Sequence, residues 1–158
     1  MDTSVGLTPT SLYRMGDFRE LSSWKRAHQV ALAVYRCTNS FPNRERYGLA
    51  AQMRRAAVSV VSNIAEGCGR QGDRELTRFL RIARGSVREL ECQLLLSRDL
   101  GYLPPEVWSQ LDTDSQEISR MLNGLIRSLQ PDLDARKPNP DARLLTPDSR
   151  LAETQTFD

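Results

Sequence analysis

The sequence predicts an all-α protein folded as an antiparallel up-down-up-down four-helix bundle. Three observations predict it. Four stretches between Ser22 and Leu129 carry apolar residues at three- and four-residue steps. Glycine and proline breakers separate these stretches by short connections, which return each helix beside its predecessor with crossings near ~+20°. No strand pattern competes with the helical one.

The first helix is expected from Ser22, with Ser22 or Ser23 placed to cap it and Trp24, Ala27, Ala31, Val34 and Tyr35 along its apolar side. Phe41-Pro42-Asn43 breaks it, because a residue before proline is pushed out of the α region and Asn43 can cap the next helix. Helix two is expected over about 45–66, with Leu49, Met53, Ala56, Val60 and Ile64 on one stripe, ending at Gly67 and Gly69, where positive φ is cheap. Asp73 is placed to cap helix three, whose stripe is Leu76, Phe79, Leu80, Ala83, Val87, Leu90 and Leu94, and Gly101 stops it. Pro104 and Pro105 open helix four, where proline is tolerated in a first turn; Val107, Leu111, Ile118, Met121, Leu122, Leu125 and Leu129 form its face. The bundle domain is therefore placed at residues 18–130, between a flexible arm, 1–17, and a disordered acidic tail, 131–158, that holds four prolines and one aromatic.

Charge is unevenly spread. The net charge of +2 conceals a middle segment, residues 22–101, with 14 basic and 7 acidic groups, a net of +7. The flanks are acidic, at −1 for residues 1–21 and −4 for 102–158. Three cysteines, Cys37, Cys68 and Cys92, form no C-x-x-C pair and have no histidine nearby, which predicts a reducing compartment. The N-terminus lacks the basic start and apolar run of a signal peptide, and no window approaches ~18 consecutive apolar residues, so the chain is expected in the cytoplasm, off the membrane.

The stretch SVVSNIAEGCGR, residues 59–70, invites three readings. A phosphate loop needs glycines after a strand and a Lys-Ser/Thr pair, and neither is present. A nucleophilic Cys68 has no candidate general base, since the one histidine, His28, lies on helix one. No catalytic residue, metal ligand or cofactor is implied. The third reading is structural: Asn63, Glu66 and Gly67 form the turn at the end of helix two, with Asn63 bridging buried carbonyls.

Two helix faces remain to be explained. At ~100° per residue, Ala51, Val58, Val61 and Ala65 lie on the side of helix two away from Leu49, Val60 and Ile64, so the helix is apolar on both sides. A four-helix monomer leaves every helix a solvated side, and the second face is therefore expected to pack on another copy of the chain. On helix three, Arg74, Arg78, Arg81, Arg84 and Arg88 make one stripe opposite the leucines, and Arg54, Arg55 and Arg70 add charge from the preceding element. The guanidinium fork suits bidentate phosphate contact, and no aromatic interleaves the stripe, so these eight arginines are the candidate surface for an RNA or DNA backbone.

The segments FRELSSWKRAHQVALAVY, FPNRERYGLAAQMRRAAVSVVSNIAEGCGR and FLRIARGSVRELECQLLLSRDLGY, with Trp24, Phe41-Pro42, Gly48-Leu49, Arg55-Ala56, Asn63-Ile64-Ala65-Glu66-Gly67 and Gly85-Ser86 among their marks, resemble one known family. It is the four-helix bundle family of the intervening-sequence protein of bacterial 23S ribosomal RNA genes, matched over about residues 18–129. The resemblance implies a ring-shaped homopentamer. One branch of the family, the accessory variability proteins of diversity-generating retroelements, implies a basic barrel that binds a reverse transcriptase and its RNA. Two functions are thus expected of this chain: a non-enzymatic oligomeric accessory protein offering an arginine surface to nucleic acid or to a reverse transcriptase–RNA complex, or a homo-oligomeric scaffold whose arginines pair with acids such as Glu75, Glu89 and Glu91 on neighbouring subunits.

Overall fold

Helix α1 (Ser22–Thr38) packs on α2 (Leu49–Gly69), α2 on α3 (Asp73–Asp99), α3 on α4 (Pro105–Ser128), and α4 closes the square against α1. This computed structural model describes residues 17–130; the expected arm, save Asp17, and the expected tail lie outside the described residues. No strand occurs among the described residues.

The apolar stripes converge as their spacing requires. Val34, Met53, Ile64, Leu80, Leu90, Leu94, Ile118 and Leu122 are essentially removed from solvent along the bundle axis. Each such side chain contributes roughly 1.5–3 kcal/mol on burial. At one end, the α1–α2 and α3–α4 connections are latched together: Phe41 packs on Tyr102 with ring centroids 5.4 Å apart, and Arg44 donates to the Tyr102 hydroxyl at 3.2 Å. At the other end lie the α2–α3 turn and Gln130, where the described chain stops.

Several helix ends differ from expectation. Ser22, Ser23, Asn43 and Asp73 make no side-chain cap; the cap positions of α1 and α3 are Leu21 and Gly72. Asp73 instead sits in the first turn of α3, where a carboxylate favours the exposed N–H groups. Helix two starts at Leu49, after a short 3₁₀ turn at Asn43–Glu45, rather than at Glu45. The Leu49 N–H is met by Glu45 Oε2 at 3.0 Å, and a Cβ on Gly48 would stand 2.6 Å from that oxygen, so glycine is the residue that lets the carboxylate reach.

The end of α2 is the larger correction. Gly67 and Gly69 stay helical, and the reversal falls at Gly72, φ 94°. Gly67 is required for space: a Cβ there would lie 2.9 Å from the Phe79 Cβ and 3.0 Å from Leu76 Cδ1 of α3. Gly67→Ala is therefore expected to destabilise the fold, because forcing a methyl into this contact costs about 1–3 kcal/mol and outweighs the ~1 kcal/mol gained in helix propensity. Gly124→Ala, on a helix with nothing within 4 Å of the new Cβ, should stabilise by about 0.4–1 kcal/mol. Urea titrations of the two variants measure both signs.

Candidate nucleic-acid interface

The core face of α3 fixes what stands outside it. With Leu76, Leu80, Ala83, Val87, Leu90 and Leu94 buried, the residues half a turn away emerge into solvent, and Arg74, Arg78, Arg81, Arg84 and Arg88 are all exposed. They are not equivalent. Arg78 pairs with Glu75 at 3.1 Å, and its guanidinium lies 4.4 Å from the centre of the Phe79 ring. That hydrogen bond holds the Glu75 carboxyl below its ordinary range. Arg88 pairs with Glu91 at 2.7 Å, and Arg84 donates to Asn123 Oδ1 of α4 at 2.8 Å. Arg74 and Arg81 form no ion pair or side-chain hydrogen bond among the described residues.

Of the remaining three candidate arginines, Arg54 and Arg55 do not extend this stripe, whereas Arg70 adjoins its start, its guanidinium and that of Arg78 both lying over the Phe79 ring. Arg54 is half-buried and ties the end of α1 to α2: Nε donates to Thr38 Oγ1 at 2.8 Å, Nη2 donates to Asn39 Oδ1 at 3.0 Å, and the guanidinium stacks 5.1 Å from the Tyr35 ring centre. Arg55 lines a groove with Tyr35, Ala51 and Val58, on the α1 side of the molecule. Arg70 is engaged by Glu66 and lies over Phe79. The expected eight-arginine surface is thus two surfaces, because α2 stands between α1 and α3 and its residues turn toward one or the other. The division is visible within α2 itself, where Ser59 Oγ stands 2.8 Å from Ser86 Oγ of α3 while Arg54 bonds to α1.

Sequence reasoning missed α4's share of the site. Arg120, Asn123, Gln116 and Ser119 line a polar groove with Arg88 and Glu91. The signal was present as polar residues three and four apart on α4.

Asn63, Glu66 and Gly67, expected at a turn, all lie inside α2. Asn63 is half-buried and bonds locally, its Nδ2 donating to Ser59 O at 2.8 Å and to Ser59 Oγ at 3.1 Å, so it bridges no carbonyls of a turn. Val58 is 41% exposed, while Ala51, Val61 and Ala65 are half-buried and Val61 packs against the core, so the second apolar side of α2 is only partly covered within one chain. Leu32 and Tyr35 of α1 are also exposed.

Burial raises the pKa of Cys68, and that of Cys37 is pushed up to about 11, so both are neutral thiols at pH 7 and poor nucleophiles. His28 is exposed and stacked on Trp24 at 5.0 Å. Among the described residues no group of three His, Cys, Asp or Glu side chains is placed to hold a metal, and no helix is long and apolar enough to cross a membrane.

Comparison with known proteins matches the chain to a family and to solved structures. Residues 19–124 match the family described as 23S rRNA-intervening sequence protein. A crystal structure from Bacteroides thetaiotaomicron, of a protein with unknown function from the S23 ribosomal protein family, superposes with a TM-score of 0.61 at 22% identity, covering 66% of this chain and 98% of that one. At that identity the likeness is one of fold. No curated protein matches the chain.

The two kinds of arginine are separable by stability. Arg54→Gln should cost about 1–3 kcal/mol, since it removes charged hydrogen bonds at a half-buried helix junction. Arg81→Gln should stay within about 0.5 kcal/mol of the parent, as an exposed substitution on a helix. Denaturant midpoints at constant slope check both.

Proposed function

The chain belongs to the 23S rRNA-intervening sequence protein family, and from that premise we propose that it acts without enzymatic chemistry, as a cytoplasmic homo-oligomeric accessory protein that holds RNA or DNA by its phosphate backbone on the outer face of α3. The observation that carries this reading is the pair Arg74 and Arg81, exposed beside Arg78, Arg84 and Arg88 and without an ion-pair partner among the described residues. Unpaired guanidiniums on one helix face release counterions when they meet phosphates, and that release drives association. The aromatic ring nearest the stripe, Phe79, is buried, which favours backbone contact over base stacking. As its protein partner we propose a reverse transcriptase carrying its RNA, the partner that a resemblance to retroelement accessory proteins implies.

The proposed assembly is a pentameric ring. Each subunit of a ring presents two different faces to its neighbours. Two apolar surfaces support that arrangement: Leu32, Tyr35 and Val58 on the outer side of α1 and α2, and Leu95 and Leu96 on the far half of α3 with Leu100 just past its end. Repeating the arginine stripe around a ring multiplies weak phosphate contacts without adding new ones. A second reading, a scaffold that touches no nucleic acid, is favoured by Arg78–Glu75 and Arg88–Glu91, which show that acids on α3 answer part of the stripe.

Light scattering on the 17.9 kDa chain should return about five times that mass, and a stable monomer overturns the ring. Val58→Glu should separate the subunits while keeping the helical content, because the residue is exposed in one chain and a carboxylate trapped at an interface costs several kcal/mol. Unfolding of that variant would instead assign Val58 to the core.

RNA binding followed by anisotropy across a salt series separates the two readings. The accessory-protein reading expects affinity that is tolerant of sequence and falls steeply with salt. Replacing Arg74 and Arg81 with Gln should reduce the slope of log K against log salt by about 1.4 for each protomer in contact with a single strand. Absence of binding at low salt, with or without residues 131–158, leaves the scaffold.

A further inference from the structure

The end of the bundle that holds the α2–α3 turn carries an open cleft of about 1230 Å³, bounded by the first turns of α3 and the end of α4. It is larger than the pockets that enclose a small ligand and suits a stretch of polypeptide. Arg74, Arg78 and Arg81 line it, with Asp73 and Glu75 also on its wall, and Ile82 adds an apolar side chain that is 42% exposed. Glu75 answers Arg78, while Arg74 and Arg81 are left without an ion pair among the described residues.

We propose that the chain's own segment just beyond α4, Asp132-Leu133-Asp134, docks in this cleft, its two carboxylates on Arg74 and Arg81 and Leu133 against Ile82. The inference rests on the reading of the α3 stripe as an anion-binding face. Three facts select this occupant. Leu129 and Gln130 themselves line the cleft, so the chain leaves from inside it. Asp132 and Asp134 follow Gln130 by two and four residues, a reach of at most about 7 and 14 Å at ~3.3–3.6 Å per residue. The charges match: two carboxylates precede the first tail cation, Arg136, whereas residues 1–16 carry one acid, Asp2, against one base, Arg14, and have no net charge to offer. Tethering gives the segment a high effective concentration over the arginines, so a nucleic acid must displace it to bind.

The sequence contains four isoleucines, and of these Ile82 is exposed while Ile64, Ile118 and Ile126 are buried. Methyl NMR of the isoleucine-labelled full chain is therefore the test, comparing it with the full-length variant Asp132→Asn, Leu133→Ser, Asp134→Asn. The Ile82 signal should move in the variant while Ile64 and Ile118 stay, which also reports an intact core. Salt near 0.5 M should carry the wild-type Ile82 signal toward the variant position, as screening weakens the ion pairs. An Ile82 signal that is the same in both proteins overturns the docking, whatever happens with RNA. The same two proteins are then titrated with single-stranded RNA at low salt, where the variant should bind about three- to tenfold more tightly. A shifted Ile82 signal with no RNA bound by either protein upholds the docking and removes the phosphate-binding reading.

Discussion

The close approach of α2 and α3 is the constraint on which the rest of the structure depends. It is the most extensive helix contact in the bundle, and it is made possible by small residues: Gly67 under Phe79 and Leu76, and Ser59 against Ser86. Interiors at this packing density do not absorb an extra methyl without displacement. With α3 held this closely, its rotation about its own axis is fixed, and the five arginines must face outward. The stripe is a consequence of the seam.

Position within the bundle then divides chemically identical residues. Arg54 and Arg81 are both arginines on amphipathic helices, yet one is a strut between helices and the other stands in solvent. Arg54 meets a hydroxyl, an amide oxygen and a tyrosine ring that the α1–α2 junction supplies together. Its Nε and Nη2 donors are engaged by the fold. Arg81 meets no such group, so its charge is available to whatever approaches α3. Glu75 and Glu91 play an intermediate part, orienting Arg78 and Arg88 by exposed or rim ion pairs that are weak individually and that a phosphate can replace.

The ends of the bundle are unlike one another for the same topological reason. Up-down-up-down connectivity gathers the α1–α2 and α3–α4 connections at one end, where Phe41, Tyr102, Glu45 and Arg44 lock them. The opposite end has only the α2–α3 turn, and both termini of the described chain enter there. Basic residues at the start of α3 therefore lie beside the point where an acidic segment leaves, a juxtaposition that residues far apart in sequence acquire through the antiparallel path of α4.

By itself the sequence determined the four helices, their order, their antiparallel return and the inward stripes, because 3.6-residue periodicity and short breaker-rich connections are local signals. It also determined that the outer side of α3 stays outside the core of one chain. Tertiary structure alone decided the helix ends and the composition of the site. Gly67 looked like a turn glycine, since its sequence neighbourhood is that of a helix end, and only the approach of Phe79 shows that it is a contact glycine. Asn63 looked like a bridge and is bonded to its own helix. Arg54 and Arg55 looked continuous with the α3 stripe, because charge counted along a chain carries no information on which neighbour each side of a helix meets. Asn123 and Arg120 joined the surface unannounced, as a pairing between α3 and α4 is set by helix rotation and packing distance, and neither is written in any single segment.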